Sequence, residues 1–115
     1  MLDEGKLVKT LARVGDLLVR GEYAALEAWT AARRLTAVEM RAAVADYGRT
    51  LVLPEGGRFT PRSIVEVEGA RPEQWSVYVD LWTAQEGRSD LTLELTVTDA
   101  PGDVYAVEVD DLHVL

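Results

Sequence analysis

The chain has 115 residues, 20 acidic against 12 basic side chains for a formal net charge of −8, one His and no Cys. That length and a hydrophobic fraction of 48% predict one domain around one core and exclude intrinsic disorder. Negative charge speaks against a nucleic-acid binder, which needs clustered Lys and Arg to displace counterions, and the Cys and His counts remove disulfide scaffolds, thiolate zinc sites, Cys nucleophiles and sites that need two imidazoles.

Met1 to Lys6 opens with acids and leads into an amphipathic pattern, so neither a signal peptide nor a membrane span is expected and the cytoplasm is the expected location. Leu7, Leu11, Val14 and Leu18 recur at helical spacing, which predicts a helix over about residues 3–20, stopped by Gly21. A second helical segment starts at Glu22 and sets Tyr23, Leu26 and Trp29 on one side, with Trp29 expected in the core. Thr36-Ala37-Val38-Glu39 reads as a capping box, in which the Thr hydroxyl and the Glu carboxylate each accept from the other's backbone amide. The third helix then carries Val38, Met40, Ala43, Val44 and Tyr47 and ends at Gly48. Residues 49–62 read as a short extended piece and a mobile loop broken by Pro54, Gly56 and Gly57.

From residue 63 the period changes to two. Strands are predicted near 63–68, 75–82, 91–98 and 104–112, separated by turn-forming segments. Strand three is the cleanest, with Leu91, Leu93, Leu95 and Val97 set against Thr92, Glu94, Thr96 and Thr98. The expectation is an α+β domain over 1–115, with three N-terminal helices (1–48) packed on a four-stranded antiparallel meander sheet (63–115) after the 49–62 loop. The face under the helices is expected to hold Val77, Val79, Leu81, Leu93, Leu95, Val97, Tyr105, Val107 and Val109. Charge divides at the same place, since residues 1–62 carry ten basic and eight acidic side chains and residues 63–115 two and twelve.

The run Leu18-Val19-Arg20-Gly21-Glu22-Tyr23-Ala24-Ala25-Leu26 resembles the link between the first two helices of the SnoaL-like, cystatin-like roll superfamily. The ending Tyr105 to Leu115 resembles that superfamily's last strand. The resemblance implies a curved sheet wrapped around helices, often with a pocket between them, and frequently a dimer through the sheet. The superfamily hosts isomerases, dehydratases, transport adaptors and toxin-neutralising proteins, so fold alone does not choose a function. Gly87 to Leu95 also resembles a strand of small uncharacterised bacterial domains, which carries no activity.

Chemistry-bearing residues are sparse. His113 follows Asp110 and Asp111, so a carboxylate-oriented base can be drawn, against the commoner case of a surface His near a chain end. Tyr105, Tyr23 and Tyr47 are the polar tips offered to a helix–sheet cavity, and a Tyr that caps a core is the commoner case. No catalytic residue, metal site or cofactor is assigned: the Asp-x-Asp-x-Asp-Gly spacing of a calcium loop is missing, and in Glu86-Gly87-Arg88-Ser89-Asp90 the Arg between the acids points to local ion pairing.

The polar face of the sheet is the more informative surface. Pairing Trp82 with Thr92 and Thr98 with Val104 brings Asp80, Glu94 and Glu108 into one carboxylate row, with Trp82 and Asp110 on one side and Tyr78 on the other. Like charges directly opposite one another are destabilising, so such a row between two aromatics reads as a docking surface for a basic protein partner, a toxin-neutralising immunity protein being one version. Carboxylates scattered by a different register are the alternative. The expectation is a non-enzymatic bacterial module, monomer or homodimer, with no nucleic-acid or membrane partner. The rival is a small-molecule binder or an isomerase/dehydratase-type enzyme with Tyr105, Tyr23, Tyr47 or His113 in a pocket between helices and sheet.

Overall fold

The computed structural model describes residues 1–30 and 34–114. Helix α1 runs Glu4–Val19 because Asp3 caps it, accepting from the Lys6 amide, and because Leu7, Leu11, Val14 and Leu18 fall on one buried stripe. Gly21, at φ 71°, turns the chain into α2, Tyr23–Thr30. The predicted capping box opens α3, Ala37–Tyr47: the Glu39 amide donates to the Thr36 hydroxyl and the Thr36 amide to the Glu39 carboxylate. Glu27 accepts from the Ala37 amide at 2.9 Å, fastening α2 to the start of α3. No helix among the described residues is long and apolar enough to cross a membrane. Ala31, Ala32 and Arg33, between α2 and α3, and Leu115, which ends the C-terminal run of the resemblance, lie outside the described residues.

The sheet contains the predicted antiparallel meander: β2 (Pro61–Glu66), β3 (Gln74–Thr83), β4 (Gly87–Thr98) and β5 (Ala106–Val114) pair in succession. A fifth, two-residue strand, β1 (Leu51–Val52), lies on the same side of β3 as β2, opposite Trp82 and Thr83. The architecture is therefore α+β, three helices followed by an antiparallel sheet. α2 and α3 border the edge strand β5 and α1 borders β1, while Ile64, Val65 and Val67 are exposed along the β2 side.

All nine residues expected on the covered face are buried, in one contiguous core with the α1 stripe, Leu26 of α2 and Met40 of α3. Tyr105 is built into this core. Its hydroxyl accepts from the Asp3 amide at 2.8 Å, its own amide donates to the Thr10 hydroxyl at 3.0 Å, its ring lies 5.6 Å from that of Trp75, and the Lys6 ammonium stands 4.8 Å from it. The segment read as a mobile loop carries a 3-10 turn at Glu55–Gly57 and a buried anchor, Phe59, whose ring covers Gly15 of α1.

Both strand pairs are shifted by two residues from the expected register, and each also carries an irregularity. Asp80 pairs with Thr92 and Trp82 with Arg88, so β4 takes four residues where β3 takes two. Ser89 fills the irregularity, its hydroxyl donating to the Leu81 carbonyl at 2.8 Å and accepting from the Leu91 amide. Between β4 and β5, Thr98 pairs with Ala106, Thr96 with Glu108 and Glu94 with Asp111, which leaves Asp110 as an extra residue. The expected pairs Trp82 with Thr92, Asp80 with Glu94, Thr98 with Val104 and Glu94 with Glu108 are thus all corrected, and the single carboxylate row does not form.

Candidate functional site

The Asp110 bulge is what assembles the most chemically loaded part of the polar face. In unbroken alternation Asp111 would share the buried side with Val107 and Val109. The extra residue shifts the phase, so Leu112 takes the core position opposite Leu93 while Asp111 stands opposite Glu94, and His113 opposite Thr92. His113 consequently has a carboxylate at each ring nitrogen: Glu94 Oε2 lies 2.8 Å from Nε2 and Asp111 Oδ2 lies 2.7 Å from Nδ1. Neither contact is aligned as a hydrogen bond, and Nε2, although shielded from solvent, has no hydrogen-bond partner among the described residues. Asp111 Oδ1 accepts from the Leu112 amide at 2.8 Å, which pins that carboxylate.

Next along the face stand Glu108 and Asp110. Arg34, in the link between α2 and α3, reaches over the β5 edge to both, at 3.1 Å from Glu108 and 3.5 Å from Asp110 Oδ1, and the Thr96 hydroxyl donates to Asp110 Oδ2 at 2.7 Å. Burial holds the Asp110 carboxyl above its ordinary range, and the charges of Glu108 and Glu94 push the same way, against the Thr96 bond and the Arg34 charge. The Tyr78 phenol is raised as well, first by its hydrogen bond to Glu94 and then by the charge of Glu94, with smaller contributions from desolvation, Asp110 and Asp111. Beside these groups a groove of about 810 Å³ is lined by Trp29, Arg34, Gln74, Thr96, Thr98 and Glu108 among others. Trp29, expected in the core, is half-buried at this groove with the Arg13 guanidinium 5.0 Å from its ring.

Asp80 and Trp82 belong elsewhere. Asp80, expected as an exposed docking carboxylate, is buried and paired with Arg62 at 2.8 Å, with Arg88 at 3.9 Å. Trp82 is half-buried and lines a depression whose other charged groups are Arg58, Arg62, Arg88 and Asp80. That end of the face is therefore rimmed by cations. Glu94, Glu108, Tyr78 and Asp110 remain together, whereas Asp80 and Trp82 are separated from them.

The four residues offered to a helix–sheet pocket do not converge. Tyr105 is locked in the core; Tyr23 is buried with the Arg41 guanidinium 5.3 Å from its ring; the Tyr47 hydroxyl donates to Glu86 at 2.8 Å. Tyr47 and His113 do share an open cleft of about 390 Å³ between α3 and the ends of β4 and β5. Arg34, Arg62 and Asp111 were not singled out by the sequence pattern as site residues. For Asp111 a signal exists: alternation over Val107-Glu108-Val109-Asp110 fails at the second Asp, the mark of a bulge. Neither arginine carries such a mark.

No curated protein and no solved structure matches the chain. One family model, described as Domain of unknown function (DUF7668), matches residues 15–115. That match takes in α2, α3, every strand and the C-terminal end of α1 from Gly15 on, and the chain accordingly belongs to this family.

Proposed function

We propose that this protein is a non-enzymatic binding module that docks a basic segment of a partner protein on the β4–β5 part of its polar sheet face. The observation that carries the reading is the gathering of Glu94, Glu108, Asp110 and Asp111 on adjacent strands, with Arg34 reaching Glu108 and Asp110 and with the His113 ring beside Glu94 and Asp111. The direct opposition of Glu94 and Asp111 across β4 and β5 supports it, because like charges set face to face favour an incoming cation. A Lys or Arg side chain brought to this surface relieves like-charge repulsion, and Tyr78 with Trp29 at the groove supplies aromatic contact area. Complementary charge acts mainly on encounter rate and partner choice. The resemblance to SnoaL-like, cystatin-like rolls, which include toxin-neutralising proteins, agrees with such a role in the bacterial cytoplasm, an immunity protein being the concrete version.

The test separates position from net charge. Anisotropy of a labelled Lys/Arg-rich peptide is measured in EDTA with Glu94→Gln/Glu108→Gln and, as a control of equal charge change, Glu4→Gln/Glu22→Gln on the exposed side of the helices. The sheet variant is expected to bind about tenfold more weakly and with a shallower salt dependence, and the control to change less than about twofold. Equal losses in the two variants would overturn the proposal.

A further inference from the structure

We propose that Glu94, Asp111 and His113 bind one divalent transition-metal cation of the zinc or manganese type, with water filling the remaining coordination positions. The site shares Glu94, Asp111 and His113 with the proposed docking surface, but its test reads zinc binding alone, so its failure leaves the docking reading standing. One ligand atom from each of the three residues lies within 4.8 Å of the others. The donor set, one imidazole and two carboxylates, suits borderline cations: calcium and magnesium prefer all-oxygen shells, and soft cations prefer sulfur.

The geometry within the trio points the same way. Two ligand atoms that each sit about 2.0–2.2 Å from one cation are about 3.0 Å apart in an octahedral shell and about 3.4 Å in a tetrahedral one, with the cation, not the partner oxygen, on the axis of the ring nitrogen. Glu94 Oε2 and His113 Nε2 are 2.8 Å apart, and the oxygen is out of line for a hydrogen bond to the ring. The shielded and unpartnered Nε2 is the second observation, separate from the gathering of acids. A third is the cost of the arrangement: Glu94 and Asp111 stand directly opposite each other across β4 and β5, a destabilising like-charge pair that a shared cation reverses.

Surrounding groups hold the ligands in place, as outer partners do at metal centres. The Leu112 amide donates to Asp111 Oδ1, which fixes that carboxylate, and Tyr78 stands directly opposite Glu94 across β3 and β4. The bulge at Asp110 is the backbone device that makes the set, because it shifts Asp111 and His113 together to the side of Glu94.

The experiment uses the untagged full chain. Zinc chloride is titrated calorimetrically into the wild type, His113→Ala, Glu94→Gln and, as an exposed acid away from the trio, Glu68→Gln, with circular dichroism of each variant as a check of fold. The expected result is one zinc per chain in the wild type and in Glu68→Gln, with affinity reduced at least about tenfold in the two site variants. A second measurement does not depend on variants: His113 is the only His, so its ring resonances in a nitrogen-correlated NMR spectrum are unambiguous and are expected to shift on saturation with zinc. No binding at millimolar zinc, affinity undiminished in folded His113→Ala and Glu94→Gln, or ring resonances that do not move would each overturn the site.

Discussion

Gly15 sits in the interior of α1 beneath the Phe59 ring, and Gly15→Ala sets two opposing effects of known size against each other. The substitution improves intrinsic helix propensity by about 1 kcal/mol. A Cβ built there, however, meets Phe59 Cε2 at 2.1 Å, Cζ at 2.6 Å and Cδ2 at 2.9 Å. Carbon atoms pack at about 3.5–4.0 Å, so the ring has to move by well over an ångström, and Phe59 is only 5% exposed, with little space to move into. Overpacking of this kind costs about 1–3 kcal/mol, and expelling the ring altogether forfeits about as much in lost burial. An approach of 2.1 Å calls for the upper half of that range, so the balance against the propensity gain is a destabilisation of about 1–2 kcal/mol, read in urea unfolding followed by Trp fluorescence, or as a fall in Tm of roughly 4 °C per kcal/mol for a chain of this size. The discriminating measurement is the double-mutant cycle. In a Phe59→Ala background the obstacle is gone, so the same Gly15→Ala change is expected to stabilise by about 1 kcal/mol. A Gly15→Ala single variant as stable as the parent, or a double variant without the change of sign, would refute the claim that Phe59 locks the 49–62 segment onto α1.

Two further outcomes test the core and the polar face. Thr10→Val leaves the buried Tyr105 amide without its 3.0 Å acceptor and is expected to cost about 1–3 kcal/mol, with Thr10→Ser close to the parent in the same denaturant titration; a neutral Thr10→Val would show that this bond does not anchor α1 to the sheet. For Asp110 the sign follows from its raised folded-state pKa. The folded protein holds that proton more tightly than the unfolded chain, so the contribution of Asp110 to stability falls as pH rises from the unfolded to the folded value and returns on acidification. Asp110→Asn is therefore expected to gain on the parent above that interval and to lose its advantage below it; a stability difference that stays constant between about pH 3 and pH 7 would contradict the assignment.

Local patterns were enough for the elements. The α1 stripe, the Thr36 capping box, the stop at Gly48 and the alternation of Leu91 to Thr98 each depend on neighbours within a turn or on a two-residue period, and each stands in the structure as the pattern implies. The covered face was legible for the same reason, since alternation assigns a side to every residue once one strand's core side is known. Cross-strand partners were not legible. A two-residue slip between β3 and β4 preserves every inward and outward assignment, so apolar patterning cannot oppose it, and the observed pairing comes with an irregularity at which the Ser89 hydroxyl donates to the Leu81 carbonyl. Arg34 and Arg62 reach their carboxylates from segments 74 and 18 residues away in the chain, as far as Glu108 and Asp80, and nothing local to an exposed Arg names its partner. By itself, then, the sequence determined the order of elements, the buried face and the placing of the negative charge in the strand-forming half. Tertiary structure decided which of those charges meet: it buried Asp80 under Arg62, set Glu108 and Asp110 against Arg34, and, through one extra residue in β5, turned Asp111 toward Glu94 and His113.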